Sequence, residues 1–220
     1  MCFDAKTSLI TFMVSLVCFI ILIFFGKDKN DLFAGVITIL IGLMQGLEYI
    51  IWNNQNCNKV NHYASILIIF LLYLQPIISC IVYGYLFGSI NLFIECVLMT
   101  LITGYIIWWL NKRRLCSKPS NGSCRLVWSP FSVLYHTNMK SFGLLMSFLF
   151  FYFYIILRMF FRKRDWGIKY PFRFWILPIS FIIASIYCWI VNGVFNSIDI
   201  FGSVWCFMAV GFGIVSILHL

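Results

Sequence analysis

Long apolar runs separated by short polar breaks set the rhythm of this chain. A spanning helix needs about 20 mainly apolar residues. Seven runs approach or meet that length: Thr7–Gly26, Leu32–Trp52, Tyr63–Phe87, Ile90–Leu110, Ser141–Phe161, Phe174–Val191 and Ile200–Leu218. Their separators are polar. Lys27, Asp28, Lys29, Asn30 and Asp31 form a charged turn, and Asn53 to Lys59 holds four asparagines and a glutamine. Only Gly88 and Ser89 part the third and fourth runs, which predicts a tight helical hairpin. The first run is too long for a signal-peptide core and has no small-residue cleavage site after it, so it is expected to remain as a helix. The longest polar stretch is Asn111–Lys140, which leaves no room for an appended soluble domain. The expectation is therefore an all-α, polytopic membrane protein, a single bundle of seven helices over residues 1–220.

Composition sharpens this picture. Hydrophobic residues make up 62% of the 220 and charged residues 10%, with a mean hydropathy of +0.95. A soluble domain is roughly half apolar and a quarter charged, so this much Phe, Ile and Leu must face lipid. The net charge of +9 does not point to nucleic acid, because most Lys and Arg sit in two clusters between apolar runs, where they serve as juxtamembrane anchors. The lipid bilayer is the expected partner.

An odd number of spans puts the two ends on opposite faces. Lys and Arg divide evenly: Lys6, Lys59, Lys112, Arg113, Arg114, Lys118, Arg125 and Lys140 against Lys27, Lys29, Arg158, Arg162, Lys163, Arg164, Lys169 and Arg173. The positive-inside rule thus gives no orientation. Cysteines break the tie. Cys2, Cys57, Cys116 and Cys124 fall in loops of the amino-terminal face, whereas Cys18, Cys80, Cys96, Cys188 and Cys206 lie inside spans. An even set of loop cysteines suits an oxidising compartment, and Asn121-Gly122-Ser123 in the same loop is a glycosylation sequon. Both features favour an outside or lumenal amino terminus. Cys116 and Cys124 bracket a turn-rich stretch that a disulfide can close. Beyond it, Arg125–Trp128 and Phe131–Tyr135 flank Ser129-Pro130 and read as two short strands, an amphipathic flap, or a simple Trp/Tyr anchor at the interface. Metal is not expected: the cysteine spacing is too wide for a zinc knuckle, and His62, His136 and His219 are the only histidines.

The polar residues inside the apolar runs carry the chemistry. An ionised carboxylate at mid-membrane costs about 2.5–3.5 kcal/mol on insertion scales. Such a group faces protein or a wet cavity, or takes up a proton. Gln45 and Glu48 share a face of the second helix, with Trp52 one turn on. Gln75-Pro76 falls near the middle of the third, Asn192 shares a face with Cys188 near the end of the sixth, and Asp199 begins the seventh. Alternating helix direction puts Glu48, Asn192 and Asp199 at one level near the amino-terminal face, with Asp4 just above them. Gln75 lies deeper, and Glu95 lies near the opposite face. The sequence thus allows a polar pocket or permeation path through Gln45, Glu48, Gln75, Glu95, Asn192 and Asp199. The simpler reading leaves Asp4 and Asp199 solvated at the interface. Gly42 with Gly46 and Gly84 with Gly88 are small-residue pairs that let helices approach closely, within the bundle or in a homo-oligomer.

Several activities are disfavoured. The seventh run has no Lys for a retinal Schiff base, the spans hold no histidine set for an intramembrane zinc hydrolase, and no phosphate-binding Gly-rich loop, nucleophile elbow or haem site is present. No cofactor is expected, and nothing resembles an activated catalytic nucleophile. Met1-Cys2 with Ala5 and Ser8, Met44-Gln45 with Glu48-Tyr49 and Trp52, Leu74-Gln75-Pro76, and Gly202-Ser203 with Trp205-Cys206 resemble the recurring marks of an uncharacterised heptahelical family of large DNA viruses and some algae. Phe3 stands where that pattern has Trp, and Val204 where it has Met. The resemblance implies a seven-helix membrane protein, with a host secretory membrane as its setting if viral, and supplies no catalytic residues. Two functional expectations follow. One is permeation or transport of a proton, ion or small polar solute through the polar pocket. The other is a non-catalytic membrane-organising or interaction component whose polar groups lock helices together. A water-lined cavity shared by Glu48 and Gln75 would favour the first, and capping of each by a hydrogen bond between helices would favour the second.

Overall fold

The computed structural model describes residues 4–88, 91–119, 126–137, 139–160, 171–218 and 220, and within them all side chains except those of 136, 159–160, 171–174 and 191–203. The architecture is all-α. In order come α1 (Ala5–Phe25), α2 (Lys29–Trp52), α3 (Lys59–Phe87), α4 (Phe93–Asn111), the short strands β1 (Lys118–Pro119) and β2 (Leu126–Val127), then α5 (Ser129–His136), α6 (Met139–Phe160), α7 (Pro171–Ala209) and α8 (Gly211–Leu218). Among the described residues, five helices are long and apolar enough to cross a membrane: α1 to α4, and α6 over Met139–Arg158. Many large side chains point outward, including Phe24, Tyr85, Phe93, Leu101 and Ile190. Outward-facing Phe and Leu of this kind suit lipid rather than water.

Polar breaks make the helix ends. Asp4 caps α1 by accepting the Thr7 N–H at 2.8 Å. That bond holds its carboxyl below the usual carboxylate range, so any stabilisation it gives is present above that range and fades as pH falls through it. Asp28 and Asp31 form a reciprocal capping box at the start of α2, each satisfying backbone N–H groups that no helix carbonyl can reach. At the far end of α3, Gly88 adopts φ +99°, a conformation that glycine reaches without a Cβ penalty, and closes the helix by donating its N–H to Gly84 O at 3.1 Å. The Lys29 Nζ reaches the same helix end and donates to Leu86 O at 2.8 Å. The hairpin expected at Gly88-Ser89 lies at this point, with 89–90 outside the described residues.

α1 and α2 pack as an antiparallel pair along a seam of small residues. The buried face of α1 is Ser8, Thr11, Ser15, Cys18 and Leu22. Gly35, Gly42 and Gly46 of α2 lie against Leu22, Ser15 and Phe12, so the contacts step up one helix and down the other. The Thr11 and Ser15 hydroxyls cost little here, because each donates at 2.8 Å to a carbonyl one turn back in its own helix. Between helices in lipid, close van der Waals packing replaces the hydrophobic drive available in water. Gly42 and Gly46 thus pack inside the chain, against Ser15 and Phe12 of α1. Gly88 caps a helix instead, and Gly84 is half-buried on α3. Gly213 of α8 closes on Thr38 and Cys18, so α8 joins this pair as a third member.

The sixth and seventh runs fold differently from expectation. α7 is continuous helix over 39 residues, which would extend about 58 Å if straight. It is not straight. The Phe181 and Trp205 rings stand 5.6 Å apart, edge to face, although their sequence separation corresponds to about 36 Å of straight helix. Ala184, Cys188 and Val204 also share one buried cluster. The chain therefore reverses between Ile190 and Val204, giving two arms that pack on one another. Their apolar parts, Trp175–Ile190 and Val204–Leu218, are shorter than the other five. The second arm breaks again at Val210, before α8.

The α1–α2 seam generates a sharp expectation. A Cβ on Gly42 would stand 2.4 Å from the Ser15 Cβ, too close for both to keep their places. Gly42→Ala should lower stability by about 1–3 kcal/mol, measured by thermal unfolding in detergent, and Ser15→Gly in the same chain should restore most of the loss. A Gly42→Ala protein as stable as the parent would mean that the two helices are not packed in this register.

Candidate functional site

Glu48 is the centre of the candidate site. It lies one turn before the end of α2 and is only 1% exposed. Gln45, one turn earlier on the same face, donates from Nε2 to Glu48 Oε2 at 3.1 Å. The second oxygen is met from outside the helix pair: Trp128 Nε1 donates to Glu48 Oε1 at 2.9 Å. Trp128 is itself 1% exposed. It is therefore not an anchor at the membrane interface, which corrects the simplest reading of its loop. Indole N–H is a donor with no acceptor capacity, so a buried Trp beside a carboxylate satisfies both groups at once.

Sequence proximity does not explain how Trp128 reaches Glu48, since the two are 80 positions apart. The loop between α4 and α6 is fastened to the top of α3. Asn61, fully buried in the first turn of α3, donates from Nδ2 to Asn54 O at 2.9 Å and to Ser117 O at 3.0 Å, and its Oδ1 accepts the Ser117 N–H at 2.9 Å. The Ser65 and Ser117 hydroxyls are 2.7 Å apart, and Ser117 Oγ accepts the Ser129 N–H at 3.0 Å. His62 Nδ1 accepts the Leu115 N–H at 3.2 Å. A disulfide joins Cys57, in the α2–α3 turn, to Cys116, with Cα atoms 5.0 Å apart. The expectation that Cys116 pairs with Cys124 is thus corrected. Folding brings Cys57 beside Cys116 because Asn61 holds the 115–117 backbone against the turn that carries Cys57. Cys124, and Asn121 with its sequon, lie outside the described residues.

From this anchorage the chain makes a small antiparallel ladder, Lys118 opposite Val127 and Pro119 opposite Leu126. It then enters α5, with Pro130 in the first turn, where a missing N–H is harmless. The Phe131–Tyr135 segment is therefore helix rather than strand. α5 packs against α3, α6 and α7. Leu115, Leu126, Phe131 and Leu134 are all buried with Trp128, so residues 115–119 and 126–135 close the amino-terminal end of the bundle instead of lying open at the headgroups.

Gln75 forms a second buried station, 5% exposed. Its Nε2 donates to Leu40 O of α2 at 3.2 Å, and its Oε1 accepts from the Tyr152 hydroxyl of α6 at 2.7 Å. One side chain thereby ties three helices. Cys206, on the second arm of α7, lies within electrostatic reach of both Glu48 and Tyr152. Glu95 belongs elsewhere: it is half-buried in the first turn of α4, beside the thiols of Cys80 and Cys96. The side chains of Asn192 and Asp199 lie outside the described residues. Of the six polar residues that the sequence sets along one candidate path, the structure joins Gln45 to Glu48 and ties Gln75 to Tyr152. Sequence reasoning missed Trp128, Asn61, Ser117 and Tyr152. A cue existed for Asn61, a polar residue two positions after Lys59 at a helix start. None existed for Trp128.

Among the described residues no group of three or more His, Cys, Asp or Glu is placed to hold a metal ion. Compared with protein-family models, curated proteins and solved structures, the chain matches none of them.

Two outcomes are expected. Trp128→Phe keeps an aromatic ring but removes the donor, and should cost about 1–3 kcal/mol; combined with Glu48→Gln, the two changes should be non-additive by about 0.5–3 kcal/mol in a double-mutant cycle of detergent stability. Additive losses would separate the two residues. For the disulfide, peptide mapping without reduction should recover the Cys57 and Cys116 peptides linked, also in a Cys124→Ser chain, and a Cys116–Cys124 linkage in the parent chain would overturn the pairing.

Proposed function

We propose that this chain is a non-catalytic, seven-span membrane protein whose buried polar groups lock its helices and hold its one long loop closed over the bundle, so that it acts as a membrane-organising or interaction component. One observation carries the reading: Glu48 and Gln75 are both buried, and each is capped by a hydrogen bond from a distant element, Trp128 in the loop and Tyr152 in α6. Such bonds between helices contribute about 0.6 kcal/mol on average and up to about 1.7, modest in amount but strongly directional. The seven spans are the five long helices together with the two arms of α7–α8, whose reversal after Ile190 supports counting them separately. The Cys57–Cys116 bridge favours an oxidising compartment, and hence an outside or lumenal setting, for the loops of the amino-terminal face. The resemblance to the uncharacterised heptahelical family agrees with this architecture.

A second reading, permeation of a proton, ion or small polar solute, rests on a different observation. Cys206, buried on the second arm of α7, lies within electrostatic reach of both Glu48 and Tyr152, so the two stations share a neighbour. In that reading the loop is a gate, not a fixed cover.

Reconstitution into liposomes separates the two. The parent chain should show no proton or ion flux above empty vesicles, and Glu48→Gln and Gln75→Leu should change stability alone. In the same vesicles, protease-cleavable tags at the two ends should report opposite sides. Flux in the parent chain that disappears in Glu48→Gln would establish permeation and overturn the locking reading. Tags on one side would remove a span.

A further inference from the structure

The amino-terminal end of the bundle carries a concentrated positive patch. α4 runs out into three successive exposed cations, Lys112, Arg113 and Arg114. The Cys57–Cys116 bridge and the Asn61–Ser117 hydrogen bonds bring two more toward them. Lys59 lies two residues after Cys57, Lys118 lies two after Cys116, and both are exposed. Segments 49–94 and 96–164 contain no Asp or Glu, so neither loop supplies a neutralising carboxylate. Of the described acids at this end, Glu48 is buried beneath with Gln45 and Trp128, and Asp4 caps α1. Helix stability does not account for the patch. Cations suit the negative end of α4, but Lys59 occupies the first turn of α3, the positive end, where a cation is unfavourable.

The depth of the patch follows from its aromatic neighbours. Leu101, Tyr105 and Trp108 form one exposed stripe on α4, and the Tyr105 and Trp108 rings stand 5.7 Å apart. Tyr63 is exposed one turn after Lys59. Trp and Tyr between an apolar stripe and cations mark the headgroup level of a membrane. Lys112 Nζ stands 3.5 Å from the Trp108 ring centroid, and Arg113 Cζ 3.9 Å from that of Trp109. These contacts hold both charges against the helix. A stacked guanidinium keeps its N–H edge free, and that edge grips phosphate bidentately.

We propose that this patch binds the headgroup of an anionic phospholipid. Lys112, Arg113 and Arg114 hold its phosphate, Lys59 and Lys118 add to the attracting field, and an acyl chain lies along the Leu101–Tyr105–Trp108 stripe. The uncompensated positive charge selects an anion. The exposed apolar stripe directly below selects an anion with acyl chains over a soluble phosphate or an acidic polysaccharide. The lipid belongs to the leaflet that the Cys57–Cys116 bridge faces. This inference rests on the membrane reading of the chain, but not on whether the Glu48 and Gln75 stations lock the bundle or conduct through it.

The test titrates the purified full-length protein in detergent with phosphatidylglycerol or phosphatidylcholine and counts retained lipid by native mass spectrometry. Phosphatidylglycerol should be held at least about tenfold more tightly. Arg113→Gln and Arg114→Gln should each weaken its retention roughly fivefold, and the triple change Lys112→Gln/Arg113→Gln/Arg114→Gln about a hundredfold. Lys27→Gln, exposed at the other end of the bundle, should change nothing. Because the triple variant can also lose its fold, the parent chain supplies a second readout. Phosphatidylglycerol brominated on its acyl chains should quench tryptophan fluorescence, and Trp108→Phe should remove part of that quenching. Inorganic phosphate and heparin, titrated in the same way, should bind more weakly than the lipid. Equal retention of phosphatidylcholine, undiminished retention in the triple variant, quenching unchanged by Trp108→Phe, or tighter binding of phosphate or heparin would each overturn the site.

Discussion

A carboxylate buried in an apolar bundle has to be satisfied by donors, and that requirement organises the amino-terminal half of this molecule. An isolated buried polar group costs far more than a paired one gains. Gln45 satisfies one oxygen of Glu48 from within α2, at no topological expense. The indole of Trp128 satisfies the other, and it can do so only because the segment that carries it, residues 126–135, folds inward. That in turn requires the segment to be fastened, which Asn61, Ser65, Ser117, His62 and the Cys57–Cys116 bridge accomplish together. The cover on the bundle is a consequence of where one acidic side chain sits.

The remaining cohesion is of a different kind. In lipid, apolar side chains gain nothing by leaving one apolar neighbour for another, so helices associate through close approach and a few directed bonds. The α1–α2–α8 group uses close approach: glycines at positions 35, 42, 46 and 213 let backbones and small hydroxyl-bearing side chains meet. The α2–α3–α6 group uses directed bonds through Gln75. Aromatic edge-to-face contacts among Tyr152, Phe153, Phe181 and Trp205 then join α6 to both arms of α7. Glu48 stands beside all three systems: it is on α2, it is bonded to the loop, and it is within reach of Cys206 on the second arm.

Where expectation and structure part, the cause is distance in sequence. Cys116 and Cys124 are close along the chain and sit on a turn-rich stretch, yet Cys116 pairs with Cys57 across 59 positions. Local spacing measures only how easily a loop can close, and not which partner the tertiary fold delivers. Trp128 looked like an interface anchor because a Trp between polar flanks usually is one. Its burial depends on a carboxylate 80 positions away. α7 shows the converse. Its apolar pattern broke where Asn192, Asn196 and Asp199 interrupt it, and the chain does reverse in that region, although helical geometry continues through it.

What the sequence determined by itself is whatever depends on local composition: helices of membrane-spanning length, the polar breaks at 27–31, 53–59 and 88–89 that separate them, and the singling out of Gln45, Glu48 and Gln75 as polar residues that an apolar run tolerates only with partners. These follow from hydropathy and capping, which act over a few residues. The tertiary structure alone decided who those partners are. Trp128, Tyr152 and Leu40 O come from other elements, and Cys57 and Asn61 find residues 116 and 117 only after α3 and α4 have packed. A hydrogen-bond donor or a thiol carries no signal along the chain that identifies its acceptor or its mate. Only the crossing of helices brings them within 3 Å or so and turns a set of isolated polar residues into a closed, connected site.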